Sequence, residues 1–468
     1  MSFEKGDGGV GWIERLALAG TRLAERWMPD AFVFALAFTL VVVLGAFAVD
    51  EGVRADPMRV VVAWGDGFWV LIPFTLQMSM IILGGYVLAR APPVRRLIHW
   101  LAAVPQSSKG AVTFVALVSM LSSLLNWGFS LIFTAMLARE VARRRPDADY
   151  RALGASALLG LGTVWAQGLS GSAALQMASA SSIPKALQEV VGTPIPLTET
   201  IFRLNSLIAV GVELVVVCAV VWFAAPGPGR ARSAAELGVD LKDPPEPADD
   251  GPPTPGEWLE RSPLLLQPIV LLGLVYLGRQ LVVKGGSVTG ALAAIDFNFI
   301  NLLFLLLAAL LHGTPRSLMR AFAAGTPTVW GVLLQFPFYA GIFGVMTGTA
   351  LSHTLAGWFV GLSNPTFYPA MIVIYSAVLG VFVPSGGSKW VIEAPYVLGA
   401  ARELGVPDGW MVVTYDLGEA VANLVQPFWM LPTLALLGLK ARDVMGFTWV
   451  VAVVLLPLVL VLVTVLAP

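Results

Sequence analysis

The feature that most constrains this chain is the recurrence of uninterrupted apolar stretches: Ala31–Val49, Leu204–Ala225, Pro263–Val283, Phe297–Leu311 and Val444–Ala467. Most approach the about 20 residues that a helix needs to cross the hydrocarbon core of a bilayer, and Phe297–Leu311 is the short one. In hydrocarbon every backbone polar group must find a partner within the protein, which leaves only helices and closed barrels as spanning structures. Barrel strands would alternate apolar and polar residues over segments of about ten. No such alternation is present, so the expected fold is an all-α polytopic membrane protein. Composition agrees, with 57% hydrophobic residues, 13% charged residues and a mean hydropathy of +0.78. The single cysteine, Cys218, lies inside an apolar run and supports no disulfide framework. The formal net charge of −1 averages two differently charged faces and identifies no partner.

Residues 1–30 carry charges throughout and lack the apolar core and cleavage site of a secretory signal. Trp12, Ile13, Leu16, Leu23 and Trp27, set among Arg15, Arg22 and Arg26, predict an N-terminal interfacial helix. Residues 31–225 then form a first membrane repeat. Residues 226–262, rich in proline and acidic residues, read as a cytoplasmic linker too polar to bury a core and therefore disordered. Residues 263–296 supply a connecting span and an external loop, and residues 297–468 a second repeat.

The repeats are visible as matched residues at nearly constant offset. Ala138-Arg139-Glu140 matches Ala401-Arg402-Glu403, Leu153-Gly154 matches Leu417-Gly418, and Trp165 matches Trp429. Basic residues decide the orientation of the second copy, because they gather on the cytoplasmic side. With the N-terminus inside, the clusters at Arg90–Lys109, Arg139–Arg151, Arg230–Arg261, Arg316–Arg320 and Lys440–Arg442 all fall on that side. Only Arg54, Arg59, Lys185, Arg203, Arg279, Lys284, Lys389 and Arg402 remain outside or within the membrane. The threading requires 111–141 to enter from the cytoplasm and return, and 366–404 to enter from outside and return. The expected architecture is thus two inverted repeats with re-entrant hairpins, each hairpin preceded by an interfacial segment, Pro92–Val104 or Ser352–Leu362.

Polar and glycine-rich breaks inside apolar segments mark the place where irregular backbone must be covered by protein or wetted by a cavity. Four are evident: Ser122, Ser123, Asn126 at the first hairpin tip; Ser170, Gly171, Ser172 in the next span; Ser385, Gly386, Gly387, Ser388, Lys389 at the second tip; and Asn423, Gln426 in the span after it. Each break leaves a half-helix whose first N–H groups are unpaired and carry the positive end of the dipole, a setting for anions. These residues are the candidate substrate site. The bland alternative is that small residues merely allow helices to pack closely. Asn126 and Asn423, with freed carbonyls, are candidate ligands for a coupling sodium ion. Glu393 and Glu419 are candidates for ion or proton coupling, with Glu213 and Asp416 as further acidic residues in or near spans. Lys389 has two competing roles: neutralising a substrate carboxylate, or pairing with Glu393 four residues on. His99, His312 and His353 fall near span ends and read as structural.

Three segments, Asn126-Trp127-Gly128-Phe129, the run Gln335–Gly344 containing Phe336-Pro337-Phe338-Tyr339, and Val383-Pro-Ser-Gly-Gly-Ser-Lys-Trp390, resemble the short-chain fatty acid transporter family, of the AtoE type. The resemblance covers nearly the whole membrane portion. It implies secondary active transport of short-chain monocarboxylates such as butyrate or acetoacetate across the inner membrane, and no enzymatic activity or resident cofactor beyond a coupling sodium ion or proton. It also implies a homodimer within a larger ion-transporter superfamily, working by an elevator-like motion. This chain departs from the family pattern at Ser388, Lys389 and Glu393, where the family often carries Gly, Gln and Gln.

Two rival readings stand beside this one. A dicarboxylate carrier should present more basic side chains than Lys389 alone, whereas a monoanion needs one positive feature and an apolar wall, for which Trp127, Phe129, Trp165, Phe336, Phe338 and Trp390 are candidates. Gly168-Leu-Ser170-Gly171 also matches the nucleophile pattern of rhomboid-type intramembrane proteases, which would need a histidine in a neighbouring span to activate Ser170.

Overall fold

The computed structural model describes residues 31–178, 183, 188, 191–227, 229–242, 254–285 and 295–468. The expected interfacial helix over residues 1–30, Lys185 and most of the external loop lie outside the described residues. Within them the chain is helical, and six helices are long and apolar enough to cross a membrane: Ile72–Ala89, Ser108–Leu125, Leu204–Ala224, Pro255–Val283, Trp330–Gly348 and Ala441–Val465. A seventh span is counted if Asp408–Asn423 and Phe428–Leu437, bent by 70° at their break, are taken together.

Both expected hairpins are present. Hairpin 1 is Ser108–Leu125 followed by Trp127–Arg144, with Asn126 alone between them. Asn126 takes an extended backbone (φ −160, ψ 121), closing one helix and capping the next through an N–H bond from Phe129 to its Oδ1 at 2.9 Å. The two arms lie side by side because hydroxyls line their contact: Ser130 donates to Ser119 O at 2.8 Å and meets Ser122 at 2.9 Å. Hairpin 2 is Tyr368–Phe382 followed by Gly386–Leu404. Its arms are held by long side chains, with Tyr368 donating to Val397 O at 2.7 Å and Tyr375 bonding Tyr396 at 2.8 Å.

Each hairpin leads into a broken span. The first runs through Tyr150–Ser156 and Leu159–Gly162, a 3-10 turn at Val164–Gln167, and a resumed helix Ser172–Met177. The second runs from Asp408–Asn423 through a 3-10 turn at Phe428–Met430 to Leu431–Leu437. Trp165 and Trp429, matched in sequence, both sit in the 3-10 turn of their break, which is what a structural duplication requires.

The inverted relation follows from the last helix, Ala441–Val465. Its 25 residues span about 37 Å. At its start, Val444 packs where Gly154 approaches, and Arg139 at the base of hairpin 1 donates to Leu436 O at 3.0 Å. At its end, Val463 O accepts from Trp410 Nε1 at 3.3 Å, just after the base of hairpin 2. The two bases therefore lie at opposite ends of one membrane-length helix, and the two tips point toward one another.

The stretch 226–262 departs from the expectation of a wholly disordered linker. Residues 229–242 lie against the base of hairpin 1: Tyr150 N–H donates to Arg232 O at 2.8 Å, Arg139 to Asp240 O at 3.2 Å, and Arg143 Nε to Leu241 O at 2.9 Å. Leu237, Val239 and Leu241 pack on the core as they do so. Pro255–Arg261 is a helix with a Thr254/Glu257 capping box. Apolar residues at every second position allow the strap to dock, and carbonyls taken by arginines replace the water its backbone would lose. His312 is structural, as expected, bonding Ser317 Oγ at 2.8 Å and Val87 O at 2.9 Å.

The inverted arrangement is tested by single cysteines at the two hairpin bases in a Cys218→Ser background. A maleimide that does not cross membranes should modify Asp147→Cys only after the cytoplasmic face is opened, and Glu403→Cys in intact cells. Equal access to both from one side would contradict the topology.

Candidate functional site

Membrane-embedded breaks bring the four predicted segments to one place. At tip 1, Leu169 N–H donates to Leu124 O at 2.7 Å and Trp127 N–H donates to Ser170 Oγ at 2.9 Å. Gly168 makes this possible, since a Cβ there would stand 2.7 Å from Leu124 Cα and O. Ser170 thus serves tip 1 as an acceptor, and its hydroxyl is not positioned by any histidine described here. Around tip 2, Trp429 Nε1 donates to Pro384 O at 2.8 Å and Tyr415 OH to Gly386 O at 3.0 Å. A Cβ on Gly387 would meet Phe74 Cζ at 2.2 Å and Ser172 Cβ at 3.2 Å, and one on Gly386 would meet Trp165 at 3.1 Å. The glycine pair is therefore required by close approach, and it seats tip 2 against both the first broken span and Ile72–Ala89. Trp127 and Trp429 meet edge to face at 5.1 Å, joining tip 1 to the second break.

The convergence is closed, with no exposed surface on Asn126, Ser170, Ser388 or Asp416. Several predicted residues turn their side chains to local work. Ser122 bonds Val118 O at 2.7 Å, Asn126 Oδ1 accepts from Phe129, and Asn423 Oδ1 accepts from Gln426 Nε2 at 2.8 Å. Both amide oxygens offered for a sodium ion are thus engaged, and no three His, Cys, Asp or Glu side chains among the described residues form a metal-ligand group. Ser385 and Ser388 hydroxyls bond each other. In consequence no side chain caps the helix Gly386–Leu404, whose first N–H groups have no intrahelical acceptor. Further buried donors without an acceptor include Asn126 Nδ2, Trp127 Nε1 and Trp165 Nε1.

Of the two expected roles of Lys389, the local pairing is not the one the geometry shows. It does not pair with Glu393. Its Nζ stands 2.6 Å from Glu419 Oε2, an ionic contact without hydrogen-bond alignment, and donates to Ser376 O at 2.8 Å. The lysine stem crosses from the inner arm of hairpin 2, Gly386–Leu404, to its outer arm, Tyr368–Phe382, where the carbonyl of Ser376 and the carboxylate of Glu419, reaching in from Asp408–Asn423, both lie. Tyr415 presents its ring 5.2 Å from the ammonium. Glu393 is fully buried and neither of its oxygens has a hydrogen-bond partner. Glu213, also fully buried, lies on a different helix, Leu204–Ala224.

Asp416 carries more than sequence reading assigned to it. One oxygen, Oδ2, accepts from Ala173 N–H at 2.9 Å, reaching from the second broken span to the resumed helix of the first. Its place on the helical face of Glu419, one turn earlier, was the available signal. Phe74 and Ser376 had none, since both are ordinary residues in long helices. Of the candidate apolar wall, Phe336 stacks on Phe74 at 5.7 Å beside tip 2, whereas Phe338 belongs to a separate cluster with Phe32, Trp64 and Phe68.

Comparison with known proteins agrees with this architecture. A sequence model described as "Short chain fatty acid transporter" matches residues 12–467. A protein of Escherichia coli (strain K12), provisionally named as a short-chain fatty acid transporter, is 36% identical over 442 residues, covering 93% of this chain and 96% of its own length. A protein of Haemophilus influenzae with the same provisional name is 32% identical over 443 residues, again covering 93% and 96%. Among solved structures, the Alcanivorax borkumensis YdaH transporter has a TM-score of 0.57 at 17% identity, covering 94% of this chain and all of that one. Neisseria gonorrhoeae MtrF, of a class of antimetabolite efflux pumps, has a TM-score of 0.50 at 14% identity, covering 95% and 97%. At these identities the two structures bear on fold alone.

The Lys389–Glu419 pair yields a stability prediction. Lys389→Met should strand Glu419 beside Asp416 and Glu393 and destabilise the protein by about 3–5 kcal/mol. Lys389→Met with Glu419→Gln should recover most of the loss, because it leaves no unpaired charge. Thermal unfolding in detergent measures both, and a double variant as unstable as the single one would contradict the pairing.

Proposed function

The chain belongs to the short-chain fatty acid transporter family, and on that premise we propose that it carries short-chain monocarboxylate anions, such as butyrate or acetoacetate, across the inner membrane. The observation that carries the reading is the uncapped N-terminus of Gly386–Leu404 at tip 2, together with the unpartnered donors Asn126 Nδ2 and Trp127 Nε1 at tip 1 and Trp165 Nε1 in the first break. Every one of these groups lacks an acceptor, and a carboxylate consists of acceptors. Gly386 and Gly387 leave backbone N–H groups open to close approach. Phe74, Phe336 and Trp165 offer the apolar wall for a short acyl chain.

Charge favours a monoanion over a dianion. Among the described residues Lys389 is the one cation at the convergence, and Glu419 already holds it. What remains is the partial charge of a helix terminus, roughly half an elementary charge, which matches one carboxylate. In this reading transport is driven by a coupled ion, the hairpins and broken spans move as a block past a scaffold, and two copies assemble with their N-termini in the cytoplasm. These points rest on the family resemblance and on tip 2 meeting Ile72–Ala89 through the close packing of Gly387 on Phe74.

Short fatty acids leak through bilayers in their neutral form, so binding is the cleaner test. Titration of the purified protein with butyrate should change tryptophan fluorescence saturably, because Trp127, Trp165 and Trp429 surround the site. Succinate should compete at least tenfold less well. Gly387→Val, whose Cβ would enter the position of the Phe74 ring, should abolish the change in protein that remains folded. Saturable succinate binding equal to that of butyrate would sink the monocarboxylate assignment.

A further inference from the structure

The buried charges around tip 2 do not balance. Lys389 faces three carboxylates, Glu393, Asp416 and Glu419, all of them buried, and it pairs with Glu419 only. Asp416 is compensated by backbone N–H groups at the start of the resumed helix, with Ala173 at 2.9 Å from Oδ2 and Ala174 beside it, while its other oxygen, Oδ1, has no partner. That free oxygen lies 3.3 Å from where a Cβ on Gly386 would stand, so it faces the start of the uncapped helix Gly386–Leu404. A carboxylate of the chain thus occupies the neighbourhood that the substrate carboxylate is proposed to enter. Two carboxylates at one helix terminus repel each other, and a buried charge without a partner is costly.

We propose that Asp416 is a built-in competitor for the substrate carboxylate, and that each substrate bound is matched by one proton taken up on Asp416. The proposal rests on the monocarboxylate reading above and names its coupling ion. The step balances: the Asp416 carboxylate gains a proton and withdraws as a neutral acid, the substrate anion takes its place at the N–H groups of tip 2, and the site's net charge is unchanged. Neutral Asp416 still accepts from Ala173 through Oδ2, so the first broken span keeps its cap. The groups facing Asp416 do not offer an alternative counter-charge. From its own helix come Tyr415 and Glu419, from the inner arm of hairpin 2 Lys389 and Glu393, and from the outer arm Tyr375. The parts of the first broken span that pack on Asp408–Asn423, namely Leu159–Gly162, Val164–Gln167 and Ser172–Met177, carry no charged residue, and the charged residues of Ala441–Val465 are confined to its first turn.

Linkage supplies the test. Calorimetric titration of the purified protein with butyrate, in two buffers of different ionisation enthalpy, counts the protons taken up. The wild type should take up about one per butyrate, and its Kd should rise about tenfold per pH unit between about pH 6 and about pH 8. Asp416→Asn keeps an acceptor for Ala173 but can neither compete nor titrate. It should take up almost no protons, hold a Kd that no longer varies with pH, and bind butyrate at least about tenfold more tightly than the wild type at the alkaline end. Asp416→Ser provides the same comparison should the asparagine variant not fold. Proton uptake retained in these variants would overturn the assignment to Asp416. Butyrate binding by the wild type without proton uptake would overturn the coupling while leaving the monocarboxylate reading intact. No butyrate binding by the wild type would instead bring down that reading, and this inference with it.

Discussion

Backbone that leaves a helix at membrane depth must find its hydrogen-bond partners inside the protein, and the architecture of this molecule is organised by that need. Tip 1 and the first broken span complete each other, through Leu169 to Leu124 and Trp127 to Ser170. Tip 2 and the second broken span do the same with side chains, through Trp429 to Pro384 and Tyr415 to Gly386. Contacts between repeats, Trp127 on Trp429 and Asp416 on Ala173, then lock the two pairs together. After all these bonds are made, the N-terminus of Gly386–Leu404 is left without a cap. A carrier needs a place where binding can be made and unmade, and an uncapped helix terminus is such a place.

Charge placement follows the same economy. Lys389 and Glu419 join the inner arm of hairpin 2 to the second broken span, while Ser376 draws the ammonium toward the outer arm. One ion pair thus ties three helices, which explains why a lysine is tolerated with no exposed surface. Because that cation is committed, an anion bound as proposed would depend on N–H groups rather than on a full positive charge. Such a site would hold a monoanion weakly enough to release it, and would respond to any neighbouring carboxylate that changes protonation.

Much of this was legible in the chain itself. Clusters of Ser, Gly, Asn and Pro within apolar segments located both tips and both breaks, because few other residues permit a helix to stop in hydrocarbon. Basic residues at Arg139–Arg151 against the sparse charge near Arg402 led to the expectation of oppositely oriented hairpins, and their bases do lie at opposite ends of Ala441–Val465. Pairing was not legible. Local spacing offered Glu393 to Lys389, yet the partner lies 30 positions away on a helix that only the fold brings near. The roles of Ser170 and Asn126 were likewise settled by the tip each had to satisfy, which spacing cannot reveal. The strap at residues 229–242 looked too polar to order, and it is ordered by arginines that donate to its carbonyls in place of water.

The central claim is that a carboxylate binds at the first turn of Gly386–Leu404, between the two hairpin tips, with its acyl chain toward Phe74 and Trp165. Crystals grown with 4-bromobutyrate test this directly through the anomalous signal of bromine. The claim predicts one dominant bromine peak in van der Waals contact with the Phe74 or Trp165 ring, with carboxylate density at the N–H groups of Gly386, Gly387 and Ser388. A dominant peak elsewhere in the membrane domain, with Asp416 still facing Gly386, would contradict it.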